Sequence, residues 1–309
     1  MAEMPKDVKE ILEEVKYFKD AYFTFDQPVP FNGVMLYPVP VKNYNEFLSC
    51  SAVCTLNKND DFKGMKMTHL EYILRKMTDA ENQIEAVMWS MRFNKIIELC
   101  LHVQNGLKCP KCGKFMTYEE YIQKAEAIEG EDKSEALKCE CGGVFEEVLK
   151  YRTDEQTKKP ILIIDGHEFD SRQYNKLRKY ILYQNLPDYK DDSWVDKAIR
   201  DDEAAKAEIM SRQNGGAEAS LERKIVGLCV NLGYTLEQVE SLTMRKFIQL
   251  LGMIDDVMNY QITKQGLMSG LVSLKDGSSI EHWLYRKESD SMYGKAVDAT
   301  SYVSQLSQN

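Results

Sequence analysis

Two pairs of cysteines constrain this chain more than any other feature. The first lies in Cys109-Pro110-Lys111-Cys112-Gly113 and the second in Cys139-Glu140-Cys141-Gly142-Gly143, with 26 residues between the pairs. Four thiolates can close a tetrahedral shell around one Zn2+, each sulfur about 2.3 Å from the metal. A short turn between paired cysteines brings both sulfurs to one side. Glycine beside them permits the positive φ that a backbone needs to curl beneath a metal. The spacing therefore predicts a zinc ribbon over residues 107–150, with Cys109, Cys112, Cys139 and Cys141 as its ligands. Four thiolates leave no open position for an activated water, so the expected role is structural.

The other four cysteines read differently. Cys100 and Cys229 sit in apolar helical patterns and are expected to be small buried hydrophobes. Cys50 and Cys54 lie four apart and share a helix face, but a second metal site there lacks two ligands. His102, seven residues before Cys109, has the position to replace a thiolate; with four cysteines already sufficient, it reads as an ordinary helix residue. The chain is long and opens with the polar, acidic Met1-Ala2-Glu3-Met4-Pro5-Lys6-Asp7, not a basic-then-apolar leader. Thiols kept as metal ligands or core residues in a cytoplasm are expected, not disulfides.

Charge narrows the partners. The formal net charge is −9, and no run of Lys and Arg offers the clustered cations that phosphate binding needs. Residues 107–150 hold seven Lys against ten Asp and Glu, the wrong balance for a ribbon that grips nucleic acid. No apolar run approaches the roughly 18 residues of a membrane span.

Along the chain, residues 6–20 have apolar side chains at helical spacing (Val8, Ile11, Leu12, Val15, Phe18). Extended runs at 23–30 and 33–41 flank Asn32-Gly33, a hairpin turn signal, and Pro28, Pro30, Pro38 and Pro40 confine them to edges. Helices are expected over 44–56, 69–77 and 93–103. Between the cysteine pairs, Thr117-x-x-Glu120 is a capping box that starts a short helix to about Ala127, followed by an acidic loop at 129–133. A strand leaves the ribbon from Val144, and Pro160-Ile-Leu-Ile-Ile164 is another, ending at an Asp165-Gly166 turn. The remainder reads as helical: 171–186 with Tyr174, Leu177 and Ile181 on one face, 194–213, 221–232 closed by Gly233, a single turn capped by Thr235-x-x-Gln238, and 244–268 capped by Thr243. Asn214-Gly215-Gly216 is the expected hinge, and the polar tail after Lys287 the segment expected to need a partner to order it.

Catalytic patterns are missing: no Gly-rich phosphate loop, nucleophile elbow or His-Glu-x-x-His helix occurs. Asp165-Gly166-His167-Glu168 has acid and base side chains but is better read as a turn after a strand. The chain is not expected to be an enzyme.

Two stretches carry resemblances. Residues 231–251, from Asn231-Leu-Gly-Tyr234-Thr235-Leu through Leu242-Thr243 to Leu251, resemble the signature of tailed-bacteriophage tail assembly chaperones: a Gly-aromatic step, a one-turn helix and a Leu-Thr step before a long helix. Thr235 and Thr243 would cap successive helices, and Val239, Leu242 and Phe247 would pin the corner. Residues 22–150, with a hairpin ending at Lys42, a helix containing Leu70-Glu-Tyr-Ile-Leu74 and a Cys-Pro-x-Cys-Gly knuckle, are similar to baseplate-hub assembly proteins of contractile-tailed phages. These resemblances imply a non-enzymatic tail or baseplate assembly protein that acts in the host cytoplasm or stays in the virion.

The expected fold is α+β and mostly α, organised as an α+β unit (1–106), the ribbon (107–150), a strand-turn and helical connector (151–216), a helical domain (217–288) and a tail (289–309). The expected partners are other tail or baseplate proteins and a second copy of the chain, with no membrane. The hairpin 31–41 and the corner 234–247 are the expected contact surfaces. The competing reading is a zinc-ribbon regulator whose helices 221–232, 235–241 and 244–268 form a helix-turn-helix. Against it, the apolar third helix has only Arg245 and Lys246 as bases near its start.

Overall fold

The structure, a computed structural model, describes residues 4–79, 82–128, 133–213, 219–270 and 282–283. The expected hinge at 214–216, residues 129–132 of the acidic loop and the tail after Lys287 lie outside the described residues. The chain divides into two compact units, one of Ile11–Asn185 and the other of Met1–Glu10 with Leu186–Asn309. The fold is α+β and mostly helical, with small antiparallel sheets.

The elements run α1 (Lys6–Ala21), β1 (Val29–Phe31), β2 (Val34–Leu36), α2 (Tyr44–Thr55), α3 (His69–Met77), α4 (Gln83–Leu101), β3 (Leu107–Lys108), β4 (Phe115–Met116), α5 (Tyr118–Glu126), β5 (Glu146–Glu147), β6 (Leu149–Thr153), β7 (Pro160–Ile164), β8 (His167–Phe169) and α6 (Ser171–Asn185). They continue through α7 (Lys197–Gln213), α8 (Leu221–Leu232), α9 (Leu236–Ser241) and α10 (Met244–Met268). Among the described residues, no helix is long and apolar enough to cross a membrane.

The hairpin turns where expected. Asn32 and Gly33 both have positive φ, 46° and 84°, which matches the twist of the strands they join. The strands are shorter than the extended runs because proline cannot donate to a ladder, and Phe23–Phe25 forms a 3-10 turn instead. The hairpin is tied into its unit: Asn32 Nδ2 donates to the Glu168 carbonyl at 2.7 Å and Tyr37 N–H donates to the Cys100 carbonyl at 2.7 Å. A Cβ on Gly33 would overlap the His167 ring. Gly33→Ala therefore combines left-handed strain with a clash, and should cost about 1–3 kcal/mol, read as a lowered denaturant midpoint.

Helix α6 is the axis of this unit. Only one face looked apolar in sequence, yet every residue from Leu177 to Asn185 is buried. The Tyr180 ring meets Phe18 and Phe31 edge-on, each at 5.1 Å, and its hydroxyl donates to Glu14. Polar side chains are buried here with hydrogen-bond partners that come largely from other segments. Asn185 Oδ1 accepts the Val39 N–H at 2.7 Å, and Gln184 Nε2 donates to the Leu36 carbonyl at 3.0 Å. Arg178 donates to the Cys54 carbonyl (2.6 Å), Asn175 Oδ1 (2.9 Å) and His69 Nε2 (2.6 Å). It thereby ties the last turn of α2 and the first of α3 to α6. A guanidinium has donors only, so His69 must offer an unprotonated nitrogen. Burial first, and then the charges of Arg178, Lys179 and Lys58, hold the His69 pKa far below the ordinary histidine range.

Helix α4 begins at Gln83, earlier than the start expected at Phe93, because Asn82 caps it by accepting the Glu85 N–H. It ends on His102 in the left-handed region (φ 56°), where the imidazole stacks on Tyr37 with centroids 3.9 Å apart.

Two three-stranded antiparallel sheets follow, ordered β4-β3-β5 and β6-β7-β8. The single strand expected from Val144 is broken at Val148. There the N–H donates to Gly106 beside the first sheet (2.9 Å) and the carbonyl accepts from Asp165 at the turn of the second (2.8 Å). Lys108 Nζ reinforces the joint by reaching both Asp165 oxygens at 2.8 Å.

In the other unit, α7 starts after Trp194 instead of at it. Asp191 takes the Ser193 N–H and hydroxyl in a local turn, and the Trp194 indole donates to the Asp191 carbonyl. Ser220 caps α8 and Gly233 closes it at φ 70°; Thr235 and Gln238 form the capping box of α9, and Thr243 caps α10. Val239, Met244 and Phe247 are fully buried at the corner between the last two helices, while Leu242 is half-buried.

Candidate metal centre

Each cysteine pair sits on a tight knuckle built by local backbone hydrogen bonds. After β3, the Cys109 N–H donates to the Lys114 carbonyl (2.9 Å) and the Gly113 N–H donates back to Cys109 (2.8 Å). After the 3-10 turn Ser134–Leu137, the Cys139 N–H donates to Gly143 (2.9 Å) and Gly142 N–H donates to Cys139 (2.9 Å). Gly113 and Gly142 take φ of 75° and 77°, which only glycine adopts at little cost.

The knuckles face each other and bring the four sequence-expected ligands together. All four Sγ atoms lie within 4.8 Å of one another. Cys109 Sγ is 3.4 Å from Cys141 Sγ, and Cys112 Sγ is 3.5 Å from Cys139 Sγ. Leu107, Met116 and Phe145 are buried alongside Cys109 and Cys139, with Tyr118, Tyr121 and Leu137 packed against them. Cys112 is exposed and Cys141 half-buried, so the site lies at the surface of its small core.

The residues present suit a cation. Thiols this close oppose one another's ionisation. Burial works against the Cys109 thiolate, but the N–H groups of Cys112 and Lys111 and the Cys141 thiol outweigh it and draw the pKa down to about 7. The Gly143 N–H favours the Cys141 thiolate, yet the Cys112 thiol, burial, Cys109 and Cys139 together push that pKa up to about 12. A divalent cation held by the four sulfurs would reverse this competition, because its binding would displace the thiol protons. Gly143 provides the room: a Cβ there would lie 2.7 Å from Cys109 Sγ and 3.2 Å from Lys111 Cβ. Gly143→Ala is expected to push the Cys109 sulfur out of position and weaken metal affinity about 10- to 100-fold, measured by competition with a chromophoric chelator.

The remaining candidates do not join the centre. His102 is engaged with Tyr37. Cys50, Cys54 and Cys100 are buried, and burial raises all three pKa values, that of Cys54 to about 12, so these thiols stay protonated. Cys229 is half-buried on α8. Asp165 and Gly166 form the turn between β7 and β8, with φ 48° and 82°. Their neighbours are used structurally: Asp165 pairs with Lys108, Glu168 with Arg152 at 2.7 Å, and His167 packs at Gly33. Sequence reasoning missed Lys111 and Lys114, whose side chains cross from one knuckle to the other. No spacing rule marks lysines beside metal-binding cysteines, so only their geometry shows it.

Fold and site together define a mostly helical α+β protein with a four-cysteine cluster that could hold a metal ion. Residues 211–287 match the family model described as the YomV second domain, a phage-derived protein family, and this likeness is consistent with a phage protein. No curated protein and no solved structure matches the chain.

Proposed function

We propose that this chain is a non-catalytic phage assembly protein that binds tail or baseplate components and carries one structural Zn2+ on Cys109, Cys112, Cys139 and Cys141. The observation that carries the reading is where the phage-derived likeness falls. Residues 211–287 include the capped α8-α9-α10 corner, which also bears the tail-chaperone-like signature. That segment leaves Val226, Val230 and Leu236 more than half exposed, and grouped apolar side chains at a surface are what protein partners cover. The hairpin by itself offers a partner less than its sequence suggests, since Val29, Val34, Leu36 and Val39 are committed to the interior. Zn2+ is the ion favoured by four thiolates.

The regulator reading has less support. Arg245, one of the two bases at the start of α10, is buried and cannot reach a phosphate. A tagged full chain produced in phage-infected cells is expected to co-purify tail or baseplate proteins. A monomer that captures no virion protein, or one that shifts duplex DNA at low salt with steep salt dependence, would overturn the proposal.

A further inference from the structure

The two knuckles are linked by more than their sulfurs. Lys111 lies between the cysteines of the first knuckle, and its Nζ donates to the Cys141 carbonyl on the second at 2.7 Å. Its stem runs along the glycine pair: a Cβ on Gly142 would lie 3.7 Å from Lys111 Nζ, and one on Gly143 would lie 3.2 Å from Lys111 Cβ. Lys114 makes the companion crossing, with Nζ 3.0 Å from a carboxylate oxygen of Glu140, the residue between the second pair of cysteines.

The two lysines differ in what neutralises them. Lys114 shares its charge with Glu140, whereas among the described residues the contact of Lys111 Nζ is a neutral carbonyl. Four thiolates around a divalent cation keep a net charge of −2, and the segment around them is rich in carboxylates. An ammonium that reaches from the first knuckle to the second, with no carboxylate partner among the described residues, offsets part of that charge.

We infer that Lys111 is a positioning residue for the metal centre: its ammonium closes the second knuckle over the first and compensates the charge of the four thiolates. The inference rests on the metal reading of the cysteine cluster. Lys114, which shares its charge with Glu140, contributes less.

Zn2+ competition with a chromophoric chelator on the full chain tests both. Wild type should bind about one Zn2+ per chain, the count that four cysteine ligands around a single ion imply. Lys111→Met should lose roughly 10- to 100-fold in affinity, in the range of other outer-shell changes, Lys111→Arg should recover most of it, and Lys114→Met should lose less than Lys111→Met. Co2+ substitution checks the ligand set: all variants should show the visible spectrum of a tetrathiolate site at saturating metal, so that a lower affinity is not a missing ligand. Raised salt should narrow the gap between wild type and Lys111→Met, because the compensating charge is exposed and screened. Equal affinities for wild type and Lys111→Met would sink the inference while leaving the metal site standing. A wild-type chain that binds no Zn2+ would sink the metal reading and this inference with it.

Discussion

Where the four cysteines hold a metal ion, removing it with a chelator, or replacing Cys109 by serine, is expected to unfold the ribbon around the two knuckles, α5 included, while leaving α2, α3, α4 and α6 in place. The reason is the small size of the core. Leu107, Met116 and Phe145, with Cys109 and Cys139, form the buried cluster of the ribbon, little apolar burial to set against the conformational entropy of ordering the whole segment. A metal held by four thiolates would add binding free energy available only to the folded ribbon. Hydrogen exchange offers a local readout. The Cys139 and Phe145 N–H groups donate to the Gly143 and Leu137 carbonyls, and both should lose protection on chelation and regain it when Zn2+ returns. In Cys109→Ser, added Zn2+ should restore little. Protection unchanged without metal would show that the ribbon stands on its own packing.

The second large effect is on acid stability. His69 accepts from the buried Arg178 and is faced by Lys58 and Lys179, so it stays neutral in the folded chain far below its ordinary pKa. In the unfolded chain it takes up a proton near pH 6.5. Below that pH the unfolded state binds one proton more than the folded state, and stability falls by about 1.4 kcal/mol for each pH unit. Above pH 6.5 both states are neutral at this site and the contribution is constant. His69→Gln keeps an acceptor oxygen but has nothing to titrate. Urea unfolding followed between pH 7 and 5 should therefore show a shallower loss for the variant than for wild type. Equal slopes would mean that carboxylates, not His69, govern the acid limb.

How much could be read beforehand depended on how local the determinants were. Both knuckles, the Asn32-Gly33 and Asp165-Gly166 turns and the caps at Thr117, Thr235 and Thr243 are set by residues a few positions apart, and they stand where the chain implied them. The first half of α4 was obscured because Ile84, Val87 and Met88 put apolar side chains on its exposed side, blurring the helical period that Ala86, Trp89 and Phe93 follow. Helix α6 and its Tyr174, Leu177 and Ile181 face stand where the sequence places them, but the burial of its polar side does not show there. Arg178, Gln184 and Asn185 look like a solvated face until their partners arrive from segments that no short-range pattern identifies. The break at Val148 depends likewise on Gly106 and Asp165, which lie in different parts of the chain.

Those distant partners also set an order of events during synthesis. The hydrogen bonds that seat α6 span 109 residues to His69, 124 to Cys54, 146 to Val39 and 148 to Leu36. Loops of that length close slowly, and a chain emerges from the ribosome at only about 5–20 residues per second. The segment before α6 therefore spends seconds outside the ribosome with the hairpin and the end of α2 still lacking their last partners. The ribbon needs no such wait: its two knuckles are complete once Gly143 has emerged. A metal ion held by the four cysteines would therefore be in place before the core around α6 has closed.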